Sequence, residues 1–174
     1  MNYFEFYGIE EKIHLDDVTL RTLFRKKSRD FHPDHHSDAS PTELARVIQL
    51  STTNNEAYKV LENFESRVKY VLEINGLLGD QQKHIMSPSF LGEMMEINEA
   101  IIECEAEGRP IPEEVRNAIA AYDTSLLKDM HDYGREHDEA EVGRVEILAQ
   151  IKEIFLKRKY ILRIQEKIDT FTAS

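Results

Sequence analysis

A chain of 174 residues is long enough to form one domain or two small ones. Hydrophobic residues make up 41% of it and charged residues 32%, a balance typical of a globular chain and not of a disordered one. The net charge of −11 argues against nucleic acid or anionic lipid as the main partner, because phosphate surfaces are bound by lysine and arginine.

The single cysteine, Cys104, excludes a disulfide framework and any metal site built from several cysteines, which fits a reducing compartment. No apolar run is long enough to cross a membrane. A folded pattern begins at once with Asn2-Tyr3-Phe4, without the features of a signal or transit peptide. We therefore expect a cytoplasmic protein.

The chain begins with two predicted helices. The first is the short aromatic segment before Gly8, whose rings we expect in a core. Asp16 is a suitable N-cap for the second helix, which runs from about Asp17 to Phe31. Its apolar stripe, at steps of three and four residues, comprises Leu20, Leu23 or Phe24, Lys27 and Phe31.

The second helix is also strongly basic. Nine consecutive positions hold five cations and no acid: Arg21, Arg25, Lys26, Lys27 and Arg29. The rest of the chain then has 17 basic residues against 33 acidic ones, a balance of −16. A basic patch on an acidic protein indicates docking on an acidic partner. The alternative is an ordinary solvated helix face.

Pro33 ends this helix at or just before His32, and residues 32–39 are predicted to be a loop. The proline fixes the backbone and so lowers the entropy lost on docking. The loop then presents the His32 imidazole and the Asp34 carboxylate, which suits a bidentate arginine of a partner. The alternative is a plain turn between helices, capped by the aspartate.

Two further helices complete the N-terminal part. Ser40 as N-cap, Pro41 at the first position and Glu43 at the third predict a capping box. The apolar positions of this third helix are Leu44, Ile48, Tyr58 and Leu61, with Val47 and Ala57 beside them. A short fourth helix ends at Gly76.

Three amphipathic helices follow a linker. The first begins at Ser87 and Pro88, and its core face comprises Phe90, Met94, Ile97, Ile101 and Cys104. The second opens at Pro112 and is predicted to end at Gly134. The third carries Val145, Leu148, Ile151, Ile154, Ile161, Ile164, Ile168 and Phe171.

No strand-type alternation is present. We predict an all-α fold with a domain at 1–76, a linker at 77–87 and an antiparallel three-helix bundle at 88–174.

The first bundle helix has a second apolar stripe. Leu91, Met95 and Ile102 lie about 100° round from its core face, with Glu96 and Glu99 alongside. A helix packed on one side does not need such a stripe. It indicates either a partner-binding face or a helix that the bundle buries on two sides.

The sequence gives little support for a metal site or a catalytic site. His32, Asp34, His35 and His36 are potential metal ligands, but consecutive loop residues seldom close one coordination shell. A hydrolase using this loop with a metal is the enzyme alternative, although no nucleophile elbow, phosphate loop or cysteine pair is present. Cys104 lies on a core stripe, where a structural thiol is expected.

Residues 2 to about 76 resemble a J-domain, the module that activates DnaK-type chaperones. More narrowly, the whole chain resembles the HscB family, the J-type cochaperones of iron–sulfur cluster assembly. The shared pieces are Asn2-Tyr3-Phe4-Glu5 with Gly8, Phe31-His32-Pro33-Asp34, Asn55-Glu56-Ala57-Tyr58 with Leu61, Arg67-Val68-Lys69-Tyr70-Val71-Leu72, and Phe90-Leu91-Gly92-Glu93-Met94-Met95-Glu96, which is similar to the family's Phe-Leu-Met-Glu motif.

The resemblance implies a cochaperone without catalytic activity, cofactor or metal. It would stimulate the ATPase of an HscA- or DnaK-type chaperone and deliver to it an IscU-type iron–sulfur scaffold protein, with neither nucleic acid nor membrane as partner. The implied chaperone contacts are His32, Pro33, Asp34, Arg21, Arg25, Lys26 and Arg29. The implied scaffold contacts are Leu91, Met95, Glu96, Glu99 and Phe155. The alternative is a J-protein adaptor for a different client, unconnected with iron–sulfur clusters.

Four positions depart from the family pattern. His35-His36 stands where lysine followed by an aromatic residue is usual, and we expect altered docking strength. Asn54 stands where the family has an apolar residue, and we expect this replacement to weaken packing. Gly92 replaces a methionine of the presumed client surface. The absence of an N-terminal Cys-x-x-Cys pair, present in some eukaryotic relatives, favours the bacterial type.

Overall fold

The computed structural model describes residues 1–36, 38–79 and 86–172. Within these ranges the regular structure is helical and no strand is present, so the predicted all-α class is confirmed. The helices are α1 (Tyr3–Tyr7), α2 (Asp17–Asp30), α3 (Pro41–Glu62), α4 (Phe64–Ile74), α5 (Pro88–Glu107), α6 (Glu113–Glu139) and α7 (Arg144–Thr172). In the described part of the chain, none of them is both long and apolar enough to cross a membrane.

The chain divides into two compact units, Met1–Leu78 and Gly79–Ser174. The division falls within the predicted linker at 77–87, of which residues 80–85 lie outside the described residues. A short 3-10 turn, Pro33–His36, lies between α2 and α3 where the sequence predicted a loop.

Local signals determine the helix ends of the N-terminal unit. The Asn2 side chain accepts a hydrogen bond from the Glu5 N–H, and the Glu5 carboxylate accepts one from the Asn2 N–H, which gives α1 a capping box. Gly8 ends α1 at φ +68°, a backbone conformation that glycine adopts without a steric cost. Asp16 caps α2 by accepting from the Thr19 N–H at 2.8 Å, as predicted.

Helices α2 and α3 pack as an antiparallel pair. The ring of Phe24 stacks on that of Tyr58, with centroids 4.2 Å apart. Arg67 of α4 is buried and donates from Nε to the Ile13 carbonyl and from Nη1 to the Leu61 carbonyl. These bonds attach α4 to the end of α3 and to the segment before α2. The core of the unit includes Phe4, Phe6, Ile13, Leu20, Ala57, Leu61, Val68, Val71 and Leu72.

Asn54 joins three helices of this unit. It is 1% exposed, and its Oδ1 accepts from the Tyr7 hydroxyl at 2.8 Å. Its Nδ2 donates to the Phe24 carbonyl at 3.2 Å and to the Ser28 hydroxyl at 3.0 Å. Burial raises the pKa of Tyr7, with a smaller contribution from Tyr58, so the hydroxyl stays a donor. The amide of Asn54 thus has hydrogen-bond partners on two other helices, and the expected loss of packing relative to an apolar residue stays a prediction.

In the C-terminal unit, α6 and α7 form an antiparallel pair, and α5 packs along α7. The guanidinium of Arg158 lies 2.7 Å from the Asp123 carboxylate, which links α7 to α6. Asn98 of α5 donates to the Tyr160 hydroxyl at 3.2 Å. The predicted core positions that are buried include Phe90, Met94, Ile101, Ile119, Met130, Ile151, Ile161, Ile164 and Ile168. Cys104 is also buried, and its thiol is free, as predicted.

Three predicted positions are wrong. Helix α6 continues through Gly134 to Glu139, since a glycine inside a helix costs only about 1 kcal/mol relative to alanine. Val145 is 70% exposed, because it lies about 120° round α7 from the buried Ile151. Ile48 is exposed as well, and its neighbour Val47 takes the core position on α3.

We predict that Asn54→Ala lowers the free energy of unfolding by about 2–3 kcal/mol, because it leaves buried polar partners unsatisfied and opens a cavity. Urea denaturation of the full chain measures this difference. Asn55→Ala, at the exposed neighbouring position, is the matched control and should change stability by less than about 0.5 kcal/mol. Equal stabilities of the two variants would contradict the role of Asn54.

Candidate functional site

The basic residues of α2 lie on its solvent side. Arg21, Arg25 and Arg29 recur every four residues, so each lies only about 40° round the helix from the one before. All three are exposed, as is Lys26 farther round, and none of the four forms an ion pair within the described residues. The predicted cations therefore share one open face of α2.

Lys27 has a different role. Its Nζ lies 4.5 Å from the ring centroid of Phe6 and 5.5 Å from that of Phe31, and the side chain is half-buried. A lysine over two aromatic faces gains a cation–π attraction. Lys27 therefore contributes to packing, whereas its four basic neighbours remain accessible to a partner.

The His-Pro-Asp turn, residues 32–36, follows directly from the end of α2. The N–H of Phe31 donates to the Lys27 carbonyl at 2.9 Å, and the N–H of His32 donates to the Arg29 carbonyl at 3.3 Å. Pro33 then begins the 3-10 turn, which the N–H of His35 closes on the His32 carbonyl at 3.0 Å. The backbone around the predicted contact residues is thus hydrogen-bonded as well as restrained by proline.

Asp34 points into solvent. Its side chain is 85% exposed, and its carboxylate accepts no hydrogen bond from any described residue. The Asp34 N–H donates to Nδ1 of His32 at 3.3 Å, and the carboxylate lies 3.7 Å from the same atom. The plain-turn alternative requires that the aspartate accept from a backbone N–H, and no such bond is present among the described residues.

The start of α3 bounds the turn on its other side. The N–H and the hydroxyl of Ser40 donate to the Glu43 carboxylate at 3.0 and 2.7 Å, and the Glu43 N–H donates back to the hydroxyl at 3.3 Å. The Ser40 hydroxyl, followed by the Ser40 N–H, holds the pKa of Glu43 below its usual range. The predicted capping box is confirmed.

Among the described residues, no three histidine, cysteine, aspartate or glutamate side chains are grouped so as to hold a metal ion. His32 and His35 are near each other, with ring centroids 5.6 Å apart.

The second apolar stripe of α5 faces solvent. Leu91, Met95 and Ile102 are 39%, 61% and 54% exposed, so the alternative in which the bundle buries this side is wrong. The three side chains lie within about 40° of one another on the helix, and the exposed Glu96 and Glu99 line one flank. We call the row Leu91, Met95 and Ile102 with these two glutamates the α5 face.

Two positions near this surface need comment. Around Gly92, a Cβ atom would meet no other atom within 4 Å, so the methionine usual in the family would add to the surface and not to the core. Phe155 is half-buried and lies about 140° round α7 from Tyr160, a residue that contacts α5. The structure thus brings Leu91, Met95, Glu96 and Glu99 together but does not place Phe155 beside them, and its contact with a client stays a prediction.

The chain is similar to known proteins over almost its whole length. The family model of the HSCB C-terminal oligomerisation domain matches residues 86–169. A co-chaperone protein HscB homolog of Vibrio vulnificus strain YJ016 is 32% identical over 97% of this chain and 95% of its own length. The chain belongs to the HscB family.

Solved structures support the same assignment. The chaperone HscB from Vibrio cholerae is similar with a TM-score of 0.60 and 26% identity, over 99% of this chain and 98% of that one. The human co-chaperone protein HscB gives a TM-score of 0.69 and 28% identity, over 98% of this chain and 81% of that one. The HscB architecture of a J-domain followed by a helical bundle is therefore present here.

Oxidation should distinguish the methionines of α5. Met95 is exposed and Met94 is fully buried, so mild hydrogen peroxide should convert Met95 to the sulfoxide much faster, by at least about tenfold. Peptide mass spectrometry over a time course measures both rates in one sample. Similar rates at the two neighbouring positions would contradict the exposure of the α5 face.

Proposed function

We propose that this HscB-family protein docks on an HscA- or DnaK-type chaperone through its J-domain and stimulates ATP hydrolysis by that chaperone. The observation that carries the proposal is the Asp34 carboxylate, exposed on a hydrogen-bonded turn directly after the basic face of α2. A solvated carboxylate on a restrained backbone suits a bidentate bond from an arginine. The cations Arg21, Arg25, Lys26 and Arg29 would speed the encounter with an acidic surface.

The bundle supplies a second contact, for which we propose an IscU-type iron–sulfur scaffold protein as client. The α5 face combines an apolar row with a flank of two glutamates, so it suits an apolar patch bordered by lysine or arginine. Delivery of the scaffold to the chaperone would then aid cluster assembly and transfer. Relatives named as co-chaperones support a role without catalytic activity of its own, and a buried free thiol fits a cytoplasmic location.

Asp34→Asn should reduce stimulation of the chaperone ATPase at least about thirtyfold, because a charge-assisted bond at a docking surface is worth about 2 kcal/mol or more. Steady-state ATP hydrolysis, with chaperone held constant, measures the effect. Asp38→Asn, an exposed aspartate of the same loop, is the matched control and should leave stimulation unchanged. Full stimulation by Asp34→Asn would refute the proposed role of Asp34.

Met95→Ala should weaken scaffold binding about fivefold to thirtyfold, because an exposed methionine that becomes buried in an interface contributes about 1–2 kcal/mol. Isothermal titration of the scaffold into the full chain measures the dissociation constant, and ATPase stimulation without scaffold should stay at the wild-type level. Val142→Ala, at an exposed site of the α6–α7 turn, is the control. Wild-type protein that stimulates the chaperone but does not bind the scaffold would favour a different client.

A further inference from the structure

We infer that His36 is a positioning residue, which closes the His-Pro-Asp turn onto the end of α2 and so sets the direction of Asp34. The bond that carries the inference joins Nε2 of His36 to the carbonyl oxygen of Asp30 at 2.8 Å. The functional part of this inference rests on the proposed function, since the orientation of Asp34 matters only if a partner binds there.

The end of a helix leaves carbonyl groups without partners inside the helix. At the end of α2, backbone N–H groups bond the carbonyls of Lys27 and Arg29. Asp30 is the last residue of α2, and its carbonyl is bonded by the imidazole of His36 instead. A histidine near a helix C-terminus is favourable in general, because the carbonyls there carry partial negative charge.

This bond closes a ring of chain around the proposed contact residues. It joins position 30 to position 36 and so brackets Phe31, His32, Pro33, Asp34 and His35. Inside the ring, the His35 N–H donates to the His32 carbonyl, and outside it, the Ala39 N–H donates to the His36 carbonyl at 3.0 Å. Asp34 lies between these anchors, and its carboxylate is not bonded to any of them.

This bond requires a side chain that donates a hydrogen bond. The hydrocarbon ring of phenylalanine has no such donor. The family resemblance places an aromatic residue at this position, so the histidine gives the turn of this chain a hydrogen bond that phenylalanine lacks. Because a carbonyl oxygen only accepts, Nε2 of His36 carries the proton. The neutral Nε2–H tautomer and the imidazolium both donate from this atom, so the bond does not depend on the charge of the ring.

Nuclear magnetic resonance of the full chain labelled with nitrogen-15 tests the geometry without any partner. At a pH above 7.5, long-range nitrogen–proton spectra should show His36 as the Nε2–H tautomer. A predominant Nδ1–H tautomer would overturn the inference, since that ring has no proton to donate to Asp30. This measurement is independent of the proposed function.

Two variants test the consequence for docking. His36→Phe keeps a planar ring but loses the donor, and it should raise the protein concentration for half-maximal ATPase stimulation about fivefold. His36→Gln restores an N–H donor of similar reach and should return that concentration to within about twofold of the wild type.

The outcomes separate the possible failures. Unchanged stimulation by His36→Phe would overturn the positioning role, and equal loss in His36→Gln would overturn it too, by showing that the ring itself contacts the partner. Wild-type protein that stimulates no chaperone would instead refute the proposed function, while the tautomer measurement would still decide the geometry of the turn.

Discussion

The pairing of α2 with α3 is the constraint on which the presentation of the turn depends. Phe24 stacks on Tyr58, and one amide side chain, that of Asn54, bonds two groups of α2 and the hydroxyl of Tyr7. Apolar contact alone allows neighbouring helices to shift along each other, whereas a buried amide with specific partners favours one register. The His-Pro-Asp turn connects the two helices, so that register determines where it lies.

The two surfaces of the molecule use different physical interactions. The exposed cations of α2 and the His-Pro-Asp turn offer charge, which acts at a distance and is screened by salt. The α5 face offers apolar area, which acts only on contact and is removed from water by a partner. A protein that meets one partner quickly and holds another by close packing would combine surfaces of these two kinds.

Features encoded by neighbouring residues were predictable from the sequence. The caps at Asp16 and Ser40 and the exposure of the α2 cations follow from hydrogen bonds and charges within one helix or turn. Wrong positions such as Gly134 and Val145 depend on how long a helix continues and which side its neighbours cover. Those properties are determined by packing between helices. The periodic pattern of one segment carries no information about that packing.

The same distinction applies to the candidate site. Exposure of the α5 face was one of two alternatives left open by the sequence, and only the positions of the other bundle helices decide between them. The bonds of Asn54 and His36 were not predicted, because each joins residues brought together by the fold or by a tight turn. Both residues were noticed as departures from a family pattern, and that signal marked their positions without giving these bonds.

The burial of Cys104 has a chemical consequence for a protein of this family. Its sulfur is the sole thiol of the chain and lies sealed in the bundle, where neither solvent nor an approaching iron atom meets it. Thiolates are the usual ligands of iron–sulfur clusters. A sulfur buried in this way is unavailable as a ligand to a cluster held by another protein.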